Sequence, residues 1–216
     1  MQERKPETTY ETPGSDILSE ISAIEWRMLQ EVNAGGPRAE CQDSPTTFKA
    51  MREGQFSVWS RAAAKSYLND LHGAIAAGRN LVLEKYVNMM LSGQSCMSAE
   101  YLAMASPHDV RVRELAAIAM QYIMAQNEAM YSKFPRLSLH LRPLHASGDD
   151  AENTSIETYQ QGELYTYSAD TLELLISCIR DLAERGKSYA EEVLANSLRY
   201  NGFASLDEAE ASLANA

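Results

Sequence analysis

Apolar residues Ile17, Ile21, Ile24, Met28 and Val32 recur at steps of three and four, the period of one face of an α-helix. Ser15 or Asp16 can cap this first helix, and Gly35 with Gly36 ends it. A second helix is expected from Ser44-Pro45, because serine accepts from orphan amides and proline suits the first helical position. It carries Phe48, Met51, Phe56, Val58 and Trp59. Ser60 opens a third helix through Tyr67, Leu68, Leu71 and Ile75, stopped near Gly78, and a fourth runs over about 79–91.

Residues 91–106 read as a loop with one short helical turn, after which Ser106-Pro107 repeats the Ser-Pro opening. Leu115, Ile118, Ala119, Tyr122 and Ile123 then mark a long helix ending before Pro135. Two prolines, Gly148 and Asp149-Asp150 predict an irregular connection over 135–153. Thr154-Ser155-Ile156-Glu157 fits a capping box, and helices follow over about 156–167, 169–185 and 188–200. Ser205 to Glu208 forms a second such box before a last short helix. No stretch alternates as a strand would. The pattern predicts an all-α, single-domain array of about eight or nine helices over 15–216, behind a polar, disordered tail at 1–14.

Composition narrows the function classes. The 216 residues are 45% hydrophobic and 23% charged, a globular balance that needs no metal or disulfide staple. Thirty acidic against 19 basic residues leave a net charge of −11, which repels phosphate backbones, so nucleic acid is not an expected partner. No apolar stretch approaches a membrane span and no signal peptide is legible, so no membrane association and a cytoplasmic location are expected. Three widely spaced cysteines suggest neither disulfides nor zinc. Four histidines without a metal-ligand spacing, and the absence of phosphate-loop or dinucleotide motifs, lead to an expectation of no metal and no cofactor.

Several polar residues interrupt the apolar stripes. Glu25 lies four after Ile21 and three before Met28, so helical geometry points it inward, where a carboxylate needs a cation or donors. On the second helix Arg52 shares a side with Phe48, Phe56 and Trp59 and can pair with Glu25, leaving Gln55 for a ligand or backbone. Lys85, four after Leu81 and four before Met89, sits at the edge of an apolar face, where a depressed pKa would suit a base. Tyr159, Glu163 and Tyr167 are spaced i, i+4, i+8, which would set two phenols about one carboxylate. Cys41, just before the second helix with Arg38 three residues earlier, has the setting of a stabilised thiolate but no nearby histidine base. The competing readings are a structural ion pair for Glu25, a stem lying over the core with its head in water for Arg52, snorkelling to solvent for Lys85, inert packing for Cys41, and an interhelical hydrogen-bond network for Tyr159, Glu163 and Tyr167.

The segments carrying these residues resemble an uncharacterised microbial family catalogued as a domain of unknown function, over about 21–210. The shared signatures are Glu25-Trp26, G-G-x-A-x-C-Q around Cys41, T-F-x-x-M-R-x-x-Q-F around Arg52, E-K-Y-x-x-M-M around Lys85 and E-T-Y-x-x-G-E-L-x-T-Y-S from Glu157. Pro37 stands before Arg38 where the family pattern runs glycine directly into arginine. The resemblance transfers no catalytic residue. It implies that Glu25, Arg52, Gln55, Lys85, Glu157 and Glu163 form one shared cluster, and relatives beside nucleotidyltransferase-like proteins would make the chain a partner subunit.

The leading expectation is a small-molecule enzyme or ligand-binding protein with a polar pocket between helices. Arg38, Arg52, Gln55, Glu157, Tyr159 and Tyr167 would hold a small anionic ligand, and Glu25, Glu163 or Lys85 would serve as acid or base. The alternative is a helical interaction or regulatory module, acting through a second copy of itself or another protein.

Overall fold

The computed structural model describes residues 10–32, 42–92, 108–150 and 153–215. Its helices are α1 (Ser15–Gln30), α2 (Pro45–Phe56), α3 (Arg61–Ala76), α4 (Leu81–Ser92), α5 (Val110–Lys133), α6 (Pro135–Ser138), α7 (Ile156–Leu164), α8 (Ala169–Glu184), α9 (Tyr189–Tyr200) and α10 (Leu206–Ser212). Single 3-10 turns stand at Ala146–Gly148 and Leu213–Asn215, and no strand occurs among the described residues. The fold is all-α and single-domain, and the described residues alone hold one more helix than the upper count the sequence suggests because Pro135 starts a separate turn, α6.

Serine chemistry sets half of the starts. Ser60, Ser155, Ser168, Ser188 and Ser205 each accept from the amide three residues on, which meets one of the orphan donors of a first helical turn. Gly186 and Gly202, at φ of 71° and 91°, take the left-handed conformation that ends α8 and α9. Four local expectations are corrected. Gly14, not Ser15 or Asp16, is the N-cap of α1. The box at Thr154–Glu157 is one residue out of register, since Ser155 caps Thr158 and Glu157 instead accepts from the Ala146 amide. In the second box Glu208 reaches the Ala204 amide rather than that of Ser205. Met51, Ile75, Ile118 and Tyr122, assigned to apolar faces by spacing, are exposed.

The lead-in is packed from Tyr10 onward. The Tyr10 hydroxyl donates to the Val58 carbonyl and lies 3.3 Å from the Cys178 sulfur, with Arg185 stacked over its ring. Arg38, Cys41, the short turn expected in 91–106 and the Ser106-Pro107 opening fall outside the described residues.

The larger core gathers Ile21, Ile24, Leu71, Leu172, Leu175 and Ile179 around an aromatic group of Phe56, Trp59, Tyr67 and Tyr167, whose ring centroids lie 4.8–6.1 Å apart in the contacts they make. A smaller core of Met130, Phe134, Leu137, Ala190, Leu206 and Ala209 closes the C-terminal end, and α5 runs from one into the other. α4 packs directly on α7. At their crossing a Cβ on Gly162 would stand 2.5 Å from Met89 Cγ and 3.0 Å from the Lys85 carbonyl. The bare backbone at Gly162 therefore sets how closely Lys85 on α4 approaches Glu163 on α7. Gly162→Ala is expected to force the two helices apart and to lower stability by about 1–3 kcal/mol, read from the urea midpoint; an unchanged midpoint would show that the crossing yields without cost.

Candidate functional site

Glu25 leaves the inner face of α1 between Ile21 and Met28 and meets Arg52 from α2. The guanidinium grips it twice, Nε to Oε2 at 2.6 Å and Nη2 to Oε1 at 2.5 Å. The same Nη2 donates to Glu163 Oε1 at 2.8 Å, and Nη1 donates to Gln55 Oε1 at 2.8 Å. Gln55 returns its amide to Glu163 Oε1 at 3.1 Å, so one helical turn of α2 supplies both groups. Lys85 of α4 donates to the other oxygen, Glu163 Oε2, at 2.7 Å. Two phenols complete the shell: Tyr67 of α3 donates to Glu25 and Tyr167, in the turn before α8, donates to Glu163, each at 2.7 Å.

All four charged groups are buried, with Glu25 and Glu163 only 1% and 2% exposed. Two carboxylates face one guanidinium and one ammonium, so the cluster is neutral as a whole. Burial alone would push the Glu163 carboxyl up, but the charges of Arg52 and Lys85 and the hydrogen bonds they donate hold it well below the ordinary carboxylate range. For Arg52 burial works against the charged form, and the two carboxylates more than reverse it. The Tyr67 and Tyr167 hydroxyls are pushed well above the usual phenol range, first by burial and then by the adjacent negative charge. At neutral pH both phenols are therefore donors and Glu163 is an acceptor only. Among the described residues no fully buried side-chain nitrogen or oxygen lacks a partner.

Five of the six residues that the family resemblance grouped thus converge: Glu25, Arg52, Gln55, Lys85 and Glu163. Glu157 does not, because it lies in the first turn of α7, bonded to the Ala146 amide and 3.6 Å from His145 Nδ1. The two phenols expected around Glu163 also divide. The helix ends at Leu164, and the following turn carries the Tyr167 hydroxyl to Glu163. Tyr159 instead sets its ring against Lys85 Nζ, 3.5 Å from the centroid, with the Arg142 guanidinium 5.0 Å away. Tyr67 escapes a sequence reading because its spacing is that of any core aromatic. Arg142 escapes it because it belongs to the irregular 135–153 stretch, where no period says which way a side chain points.

Two cavities adjoin the cluster. One, of about 40 Å³, is lined by Glu25, Arg52, Tyr67, Lys85, Tyr159 and Glu163 and has room for water-sized species. The other, of about 330 Å³, has Arg52, Gln55 and Tyr159 on one side and Met51, Ile123, Met130, Val193 and Leu194 among its apolar walls, with Arg142 and His140 also lining it. No group of three or more metal-ligating side chains occurs among the described residues.

Arg52→Met, which leaves two buried carboxylates facing a single ammonium, is expected to cost about 3–5 kcal/mol in urea denaturation. A loss below about 1 kcal/mol would mean that the carboxylates find other partners. The pH dependence has a definite sign. Glu163 has a lower pKa folded than unfolded, so its contribution is full above the ordinary carboxylate range and is lost as pH falls through that range. Glu163→Gln should therefore flatten the decline of stability below about pH 4.5, whatever its effect at neutral pH. An acid limb as steep as that of the wild type would remove Glu163 as its source.

No curated protein and no solved structure matches the chain. One family model does, over residues 15–211, from the first turn of α1 to the last turn of α10. The chain belongs to that family, described as protein of unknown function (DUF4125).

Proposed function

We propose that the protein binds a small amphipathic anion in the cavity beside Arg52, Gln55 and Tyr159. The observation that carries this reading is the sign of the lining. In a chain with 30 acidic residues, the described walls of this cavity hold Arg52, Arg142 and His140 and no carboxylate. The volume of about 330 Å³ lies within the range of small-molecule sites, roughly 300–1,000 Å³, and the apolar walls would take a hydrocarbon or aromatic body.

Arg142 is the recognition group. Only its Nη1 is engaged, with the Thr154 carbonyl at 3.1 Å, and the Tyr159 ring backs its guanidinium. The remaining N–H groups suit a two-pronged grip on a carboxylate or phosphate. Arg52 has every nitrogen committed to Glu25, Glu163 and Gln55, so its charge is taken up inside the cluster and its part in the wall is to hold Gln55 in place. Acid or base work by Glu25, Glu163 or Lys85 would require the reacting atom to enter the 40 Å³ cavity, which suits water and little else. Binding is therefore the favoured activity of this site, with the buried cluster as its rigid wall.

Calorimetric titration with octanoate and with butyl phosphate tests the reading, using octylammonium as the control of opposite charge. The wild type should bind at least one anion saturably and not the ammonium. Arg142→Gln should weaken that binding by about tenfold or more, as expected for loss of a charge-assisted pair, with no fall in melting temperature. Absence of saturable anion binding, or equal affinity in the variant, would overturn it.

A further inference from the structure

A second and larger cavity, of about 580 Å³, opens between α3, α4, the start of α5 and the turn joining α7 to α8. Its charge has the opposite sign to that of the first. Asp70, Glu84 and Asp109 line it against one guanidinium, that of Arg79. Arg79 is taken up by Glu84 in a two-pronged pair, Nε to Oε1 at 2.8 Å and Nη2 to Oε2 at 2.6 Å, and it also acts electrostatically on Asp70, while Asp109 Oδ1 accepts from the Arg111 amide at the start of α5; the lining still holds more carboxylates than cations.

The polar groups here are also oriented. Asn88 donates its amide to the Gly162 carbonyl at 3.2 Å, which turns its oxygen toward His108 Nε2, 3.1 Å away. Nε2 must then carry the hydrogen, and Nδ1 of a neutral imidazole is left as an acceptor. Burial pushes the His108 pKa down, which favours that neutral form. The ring lies nearly parallel to Tyr165, centroids 4.5 Å apart and planes 15° apart, so it cannot turn away without losing the stack. Asp70 is held in the same manner. Its Oδ2 accepts from the Ser168 amide at 3.0 Å and from Thr171 Oγ1 at 2.6 Å, while Oδ1 has no partner among the described residues. Nothing among the described residues meets His108 Nδ1 either.

We propose that this cavity binds a small organic cation bearing N–H donors, an alkylguanidinium or alkylammonium, with His108 Nδ1 and Asp70 Oδ1 as its acceptors. The excess of carboxylates over cations in the lining selects the charge. Fixed acceptors need no reordering on binding, which lowers the entropic cost of taking the ligand. The site shares no lining residue with the anion cavity, so either proposal can fail without the other.

The test is a titration of the full chain with butylguanidinium and with butylammonium, followed by the imidazole carbon–proton NMR signals. His108 is assigned by the signal that disappears in His108→Gln, and butyrate is the control. At least one cation should move the His108 signal saturably and butyrate should not. His108→Gln and Asp70→Asn should each weaken binding by about tenfold or more, as expected for loss of a hydrogen bond to a charged ligand. Asp70 also anchors the start of α8, so His108→Gln decides the matter if Asp70→Asn does not fold. A His108 signal that neither cation moves, an equal response to butyrate, or His108→Gln binding as tightly as the wild type would overturn the proposal.

Discussion

Arg52 is the joint on which the arrangement depends. One guanidinium sits between two buried carboxylates, and it is tolerable there only because Glu25, Glu163 and Lys85 arrive together. Each charge alone would cost several kcal/mol to take out of water. Glu25 with Arg52 and Lys85 with Glu163 are each neutral as pairs, and the contact from Arg52 Nη2 to Glu163 Oε1 joins the two, so the full set of partners is assembled only when α1, α2, α4 and α7 are all docked. Tyr67 and Tyr167 extend the same condition to α3 and to the turn before α8. Such a network adds little net stability over an apolar core of the same shape, but it penalises any slip in helix register heavily. Its contribution is to geometry: it fixes where Gln55 and Tyr159 stand and so shapes one wall of the cavity that Arg142 and His140 also line.

Local pairing of this kind explains how an acidic chain can present two cavities of opposite sign. Glu25 and Glu163 are consumed internally, so they add no net negative field on the side where Arg142 and His140 line the larger space. On the α3–α4 side the reverse holds: Arg79 is consumed by Glu84, and Asp70 and Asp109 remain. In both places the deciding quantity is which charges are left after the local pairs have formed. Counting residues along the chain does not reveal it.

Much of the helical order is legible from spacing. Serines at the helix starts, glycines at the ends and the three-four period of Ile17 to Met28 place the elements within a few residues, because caps and periodicity are properties of one segment and its neighbours. The inward direction of Glu25, and Arg52 as its counterpart, can be read in the same way. Errors appear where burial depends on other segments. Met51, Ile75, Ile118 and Tyr122 have core spacing but stand exposed. Tyr167, four residues beyond Glu163, reaches it from a turn rather than from a continued helix.

What the sequence determines by itself is therefore a set of helices, the faces they bury and the polar residues that must find partners inside. The tertiary structure alone decides which partners those are. Lys85 lies 78 residues from Glu163 and Arg52 lies 111 from it, so their meeting depends on helix crossings. The α4–α7 crossing is close only because Gly162 has no side chain. The same holds for Arg142, His108 and Asp70, whose pairing and exposure are settled by the surfaces that pack around them. Periodicity fixes a direction relative to one helix axis, whereas a site requires several axes to be fixed relative to one another.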